Sequence, residues 1–173
     1  MGKGVKVKPD ERKAKIEEYG RGFDFFSAAL AQVPLEARKW KPAPGEWSVH
    51  QIILHMADSE TFGALRARTL IAEPGSTLMP YDDPKWADSL NYQDQDAEDA
   101  LQLFKLMRQT TYRMHKTLPA QVFSHAVVHP EQGYPEYGAT YTLEKWLNIY
   151  TRHVRDHVEQ LKQTHQAWRA QHE

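Results

Sequence analysis

The 173 residues predict an all-α fold, a four-helix bundle with long crossover loops and a short hairpin before the last helix. Three observations carry that expectation. Four stretches, each about twenty residues long, repeat apolar side chains every three or four positions, the period of a helix burying one stripe. The stripes do not encircle the helices, so each must be covered by its neighbours, as in a bundle. The connections are rich in proline and glycine, and residues 120–141 add the β-branched residues of a short hairpin.

Residues 1–8, MGKGVKVK, carry three lysines and two glycines and read as a flexible leader, so a single domain is expected over residues 9–173. The first helix begins at Asp10. Ile16, Tyr19, Phe23, Phe26 and Leu30 form its stripe, Phe25 widens it, and it ends near Val33 and Pro34. Ser48 is a good cap for the second helix, which runs to Pro74 and Gly75. Ile52, Met56, Ser59 and Gly63 form its buried face, flanked by Ile53, Ala57 and Ala64. His55 borders the interior, and His50 is expected in solvent.

Residues 73–94 read as a long irregular connection with three prolines. Loops of that length are usually functional or form lids. Tyr81, Asp82 and Trp86 are its candidate substrate-binding residues, and Trp86 is equally suited to plugging the rim of the core. The third helix runs from about Asp96 to Leu118, ending at Pro119. Its stripe is Ala100, Phe104, Met107, Thr111, Met114 and Leu118, with His115 off centre and either structural or exposed. Phe123 to Val128 is a strand-like run. His125 and His129 stand roughly 13 Å apart in an extended chain, too far to share a metal. Thr142 caps the fourth helix, whose stripe is Leu143, Leu147, Tyr150, Val154, Val158 and Leu161, with His165 and His172 on a fraying polar end.

Composition removes several function classes. A net charge of −1 with interspersed signs leaves no electrostatic footprint for nucleic acid. No run of eighteen apolar residues and no apolar leader is present, so neither a membrane span nor export is expected, and a cytoplasmic location is. Without cysteine there is no disulfide, no zinc–thiolate site and no protein thiol nucleophile; a metal must be held by nitrogen and oxygen.

One pair of residues asks for chemistry. His153 and His157 lie in or beside the apolar stripe of the fourth helix, next to Trp146 and Tyr150. Four residues apart they differ by roughly 40° around the axis and project side by side. A shared metal accounts for such a pair. Two hydrogen-bonded helix histidines account for it as well, and nine histidines make chance pairs common. A third ligand decides between them, and His55 is placed to be one. The HVRDH segment lacks the glutamate of HExxH, which argues against a zincin protease.

GEWSVHQIILHMADSE (45–60), PYDDPKWA (80–87) and VHPEQG (128–133), followed by the late HxxxH, occur in an order that resembles the DinB-like superfamily, and within it the YfiT-like metal-dependent hydrolases and thiol transferases. The resemblance covers roughly residues 10–162. It implies a bundle whose second and fourth helices supply His55, His153 and His157 to one divalent metal ion, zinc, nickel, iron or cobalt. Three imidazoles leave coordination positions open. The catalytic group would then be water or a thiol whose pKa the cation lowers, with Asp58 and Asp156 as helpers. Asp58 and Glu60 could orient ligands, or could equally be solvent-facing charges. One departure is Asp156, where the family often has another histidine.

The function expected is a metal-dependent thiol S-transferase or hydrolase acting on a small electrophile. The partners are a small-molecule substrate, a low-molecular-weight thiol as cosubstrate, and a second copy in a homodimer built on the apolar faces of the first and third helices. A non-catalytic metal- or small-molecule-binding bundle is the alternative.

Overall fold

A computed structural model describes residues 8–130 and 140–172. Seven helices and one hairpin are present among them. They are α1 (Pro9–Gly20), α2 (Gly22–Leu30), α3 (Leu35–Arg38), α4 (Val49–Ala72), α5 (Asp83–Ser89), α6 (Ala97–Lys116), β1 (Ala126–Val127), β2 (Tyr141–Thr142) and α7 (Leu143–His172). The bundle proper is α1–α2, α4, α6 and α7. Both α4 and α1–α2 pack on α6 and α7, so the first two bundle helices sit diagonally across from each other. Directions follow from contacts. His50 meets Gln95, Glu60 meets Arg108 and Arg68 meets Thr111, so α4 and α6 run the same way. Arg12 meets Glu144 and Glu18 meets Arg155, so α1 and α7 do too. The two pairs run in opposite directions.

The first helix expected from the sequence is in fact two, broken at Arg21 between Gly20 and Gly22. A Cβ on Gly22 would stand 2.6 Å from Arg108 Nε, so a large cation could not pass here against any other residue. Phe25, expected to widen the buried face, is 49% exposed. The expected second helix stands. Ser48 Oγ accepts from Gln51 N–H at 3.1 Å, and Gln51 Oε1 accepts from Ser48 N–H at 3.1 Å, closing a capping box. Its first two turns are buried on nearly every side, because α6, α7 and the segment after α4 all cover them. His50, expected in solvent, is therefore buried, with Nε2 on Gln95 O at 3.0 Å.

The connection at 73–94 is not irregular throughout. Asp82 Oδ1 accepts from Lys85 N–H at 3.1 Å, and Pro84 sits in the first turn, so α5 forms; a 3-10 turn follows at Tyr92–Asp94. The third expected helix is α6, but its buried line is Ala100, Phe104, Arg108, Thr111 and His115 rather than the line through Met107 and Met114. His115 is thus structural and not exposed. Phe123 belongs to a 3-10 turn at Ala120–Ser124, and the strand begins only at Ala126. The expected hairpin is present as an antiparallel pair, Ala126 with Thr142 and Val127 with Tyr141. Its tip at 131–139 and the leader at 1–7 lie outside the described residues. α7 buries the stripe read from the sequence, and it continues unfrayed to His172. Among the described residues no helix is long and apolar enough to cross a membrane. Leu103 and Leu106 of α6 stay exposed.

One polar cluster pins the bundle. Arg108 Nη1 donates to Glu60 Oε2 at 2.6 Å, Nε to Tyr19 O at 2.7 Å and Nη2 to Tyr150 O at 2.9 Å, while Tyr19 Oη donates to Glu60 Oε1. The guanidinium also lies over the Tyr19 ring at 4.1 Å. One side chain thereby ties α1, α4, α6 and α7 together. Glu60, read as a ligand-orienting or solvent-facing charge, is neither.

Candidate metal centre

Close packing of α4 on α7 brings the histidines together. Gly63 makes it possible: a Cβ there would stand 2.3 Å from the Tyr150 ring, and Trp146 Nε1 donates to Gly63 O at 2.9 Å. Because the helices are antiparallel, His55 lies toward the start of α4 from this contact, and His153 and His157 lie onward along α7. His153 Nε2 is 3.1 Å from His55 Nε2 and 3.0 Å from His157 Nε2. The ligand atoms of all three lie within 4.8 Å of one another, and no fourth histidine, aspartate or glutamate joins them among the described residues.

His55 is buried, while His153 and His157 keep part of their surface open. Burial is the first cause holding all three imidazoles below the ordinary histidine pKa, well below it for His55 and His153, and their mutual repulsion adds to it there. Neutral rings are thereby favoured. His157 Nδ1 donates to Gln160 Oε1 at 2.8 Å, which fixes the proton on Nδ1 and turns the Nε2 lone pair inward. A hydrogen bond within any pair of the cluster needs one of its two Nε2 atoms protonated. Rings carrying the proton on Nδ1 instead turn lone pairs onto one point, the donor set of a cation. Two nitrogens held about 2.0–2.1 Å from a common ion at tetrahedral or smaller angles are separated by about 3.0–3.4 Å, which matches the two short contacts. The residues fit a metal ion. Trp47 walls the cluster on one side, its ring 4.8 Å from that of His55 and stacked on His157 at 6.5 Å.

The other candidates divide. Asp58, one turn after His55, accepts from Tyr92 Oη and so anchors the segment that follows α5. Asp156 faces solvent, 62% exposed, 3.5 Å from Arg152. Tyr81 stacks on Phe62 at 4.5 Å, and Trp86 meets both rings edge-on at 5.0 Å. That aromatic trio seats the connection on α4, Phe62 being two turns along the helix face that carries His55. Burial raises the Tyr81 hydroxyl above its usual pKa. Asp82 is committed to capping α5. His125 Nδ1 lies 3.3 Å from Ile71 O, and His129 packs on the Tyr141 ring; neither joins the cluster. Sequence reading passed over Gln160 and the wall made by Trp47. Gln160 had a signal, since three residues beyond a helical ligand is within side-chain reach.

Comparison with known proteins agrees with this architecture. The profile of the DinB superfamily matches residues 20–161. The chain is 26% identical over 114 residues to a protein of Bacillus subtilis (strain 168) named "Putative metal-dependent hydrolase YfiT", an alignment spanning 66% of this chain and 61% of that one. A similarly named protein of Oceanobacillus iheyensis is 27% identical over 114 residues, with 66% and 62% spanned, so the chain covers less than two thirds of either relative. One from Bacillus licheniformis is 25% identical over 158 residues, 90% and 87% spanned. The solved structure of YfiT, described as a four-helix bundle of unusual topology, superposes with a TM-score of 0.82 at 20% identity over 95% of this chain and 91% of that one, a likeness of fold. The diagonal bundle and the extent of the profile match together establish that this chain belongs to the DinB superfamily.

Proposed function

We propose that His55, His153 and His157 hold one divalent metal ion through Nε2, and that the protein is a metal-dependent hydrolase or thiol S-transferase acting on a small electrophile. The observation that carries this reading is the convergence of three nitrogens, their rings held neutral by burial, from two helices with no fourth ligand among the described residues. A closed structural site would use four ligands; three leave positions open for reactants. When bound, such an ion lowers the pKa of water or of a thiol and polarises an electrophile. The name that the relatives carry supports the hydrolase half. The thiol half rests on the chain's own lack of cysteine, which requires any sulfur nucleophile to arrive as cosubstrate.

The protein's own groups have definable tasks. Gln160 holds the His157 tautomer, Trp47 shields the His55 and His157 rings, and Tyr81 with Trp86 offers an aromatic surface to the substrate from the segment latched by Tyr92 and Asp58. The test supplies zinc-, nickel-, iron- or cobalt-loaded protein with several physiological thiols and a chromogenic electrophile, and separately with an activated ester. Turnover should vanish in His55→Ala while the bundle stays folded. Equal rates for the two proteins would defeat the enzymatic reading.

A further inference from the structure

We propose that the cavity between α1, the end of α6 and the turn at Ala120–Ser124 binds a small amphipathic organic anion that also carries a hydrogen-bond donor. The cavity has about 240 Å³ of accessible space, below the roughly 300–1,000 Å³ of pockets for drug-sized molecules, so its occupant is small. Ile16, Leu118 and Phe123 give it an apolar wall. Three cations, Arg12, Lys13 and Lys116, line it against a single acid, Glu17. Arg12 is engaged by Glu144 and Lys116 by Glu17, while Lys13 shows no ion pair among the described residues. An anionic group at this rim gains attraction without displacing either pair.

His115 supplies the specificity. It lines the cavity, is 1% exposed, and stacks on Trp146 with ring centroids 4.8 Å apart and planes 17° from parallel. Its Nδ1 donates to Thr111 O of its own helix at 2.8 Å, which leaves Nε2 as a lone pair on the opposite edge of the ring. That Nε2 is buried and has no hydrogen-bond partner. Burial holds the ring neutral, with a pKa lowered to about 4, so protonation does not relieve the lone pair. Buried acceptors are nearly always satisfied, and a ligand hydroxyl or N–H is the partner this one lacks. No residue of the histidine cluster lines this cavity. Trp146, against which His115 stacks, lies two turns, about 10 Å, before His153 along α7. The two sites therefore stand or fall separately.

Isothermal titration of the full chain with 4-hydroxybenzoate, benzoate and 4-hydroxybenzyl alcohol tests the assignment. The phenol is there to meet Nε2, the ring the apolar wall and the carboxylate the lysine rim. Saturable sub-millimolar binding of 4-hydroxybenzoate is expected, about tenfold weaker for benzoate, which lacks the donor, and for the alcohol, which lacks the charge. His115→Phe keeps the stack on Trp146 and removes the lone pair, so it should melt no lower than wild type at neutral pH yet bind 4-hydroxybenzoate no better than benzoate. Lys13→Glu, a surface change, should weaken both carboxylates about tenfold and leave the alcohol unchanged. No saturable heat from 4-hydroxybenzoate at millimolar concentration overturns the proposal. So does benzoate binding as tightly, or binding that neither variant alters.

Discussion

Two polar clusters sit in this bundle where α4 meets its neighbours, and they meet the cost of burial in opposite ways. Around Arg108, every charged or polar atom has a counterpart: Glu60 takes two donors, and the guanidinium reaches one carboxylate and two backbone carbonyls. Around His153, three nitrogens of the same kind face one another, with no carboxylate joining them among the described residues. The first cluster is complete within the chain. The second, on the function proposed above, is completed by a cation supplied from outside. Charge closure inside the protein marks a structural device, and a converging set of like donors marks a binding site.

The largest expected effect breaks the complete cluster. Glu60→Gln leaves the Arg108 charge buried without a counter-ion and should cost about 3–5 kcal/mol of stability, measured by denaturant midpoint; an apolar replacement of both partners, Glu60→Leu with Arg108→Met, should recover most of that loss. If the single change is nearly neutral, the cluster is not the pin described here.

His115 gives the next largest effect, through pH. Its folded pKa of about 4 lies below its ordinary value of 6.5, first through burial and then through Arg68, with the Thr111 carbonyl opposing. The unfolded chain therefore binds more protons, so this contribution is whole above pH 6.5 and is lost as pH falls toward 4. It amounts to about 3 kcal/mol. Stability curves for wild type and His115→Phe should separate with that slope as pH falls through this window, wild type losing stability that the variant keeps. Parallel curves would show that burial does not hold the ring neutral.

Gln160 sharpens the other side of the comparison. Gln160→Leu removes the acceptor that fixes His157 and should weaken metal binding about 10–100-fold, with little change in the melting of metal-stripped protein; Gln160→Glu should restore it. Unaltered affinity in the leucine variant would mean that the 2.8 Å contact orients nothing.

How much of this was legible follows from the same contrast. α7 and its histidine pair could be read directly, because its buried residues are apolar at regular spacing and the two histidines lie in or beside that stripe. α6 was misplaced by part of a turn, since its buried line passes through Arg108, which only partners on other helices make tolerable, and through His115, whose ring is covered by stacking on Trp146 of α7. The break at Arg21 was hidden because Gly20 and Gly22 answer to Tyr112 and Arg108, some ninety residues away in the sequence. α5 was legible in retrospect: Asp82 and Pro84 are its cap and first turn. The histidine triad needed His55 from another helix, and periodicity placed it only at the border of the interior. The family resemblance named it, and the geometry brings it to 3.1 Å from His153.

The most direct test of the central claim is metal content, measured on untagged protein after exhaustive dialysis, for wild type and for His55→Ala, His153→Ala and His157→Ala. The account predicts about one divalent ion per chain in the wild type and its loss in each variant, with helical content retained in all four. A full metal complement in all three variants, or none in wild type that has been offered zinc, nickel, iron and cobalt, would contradict it.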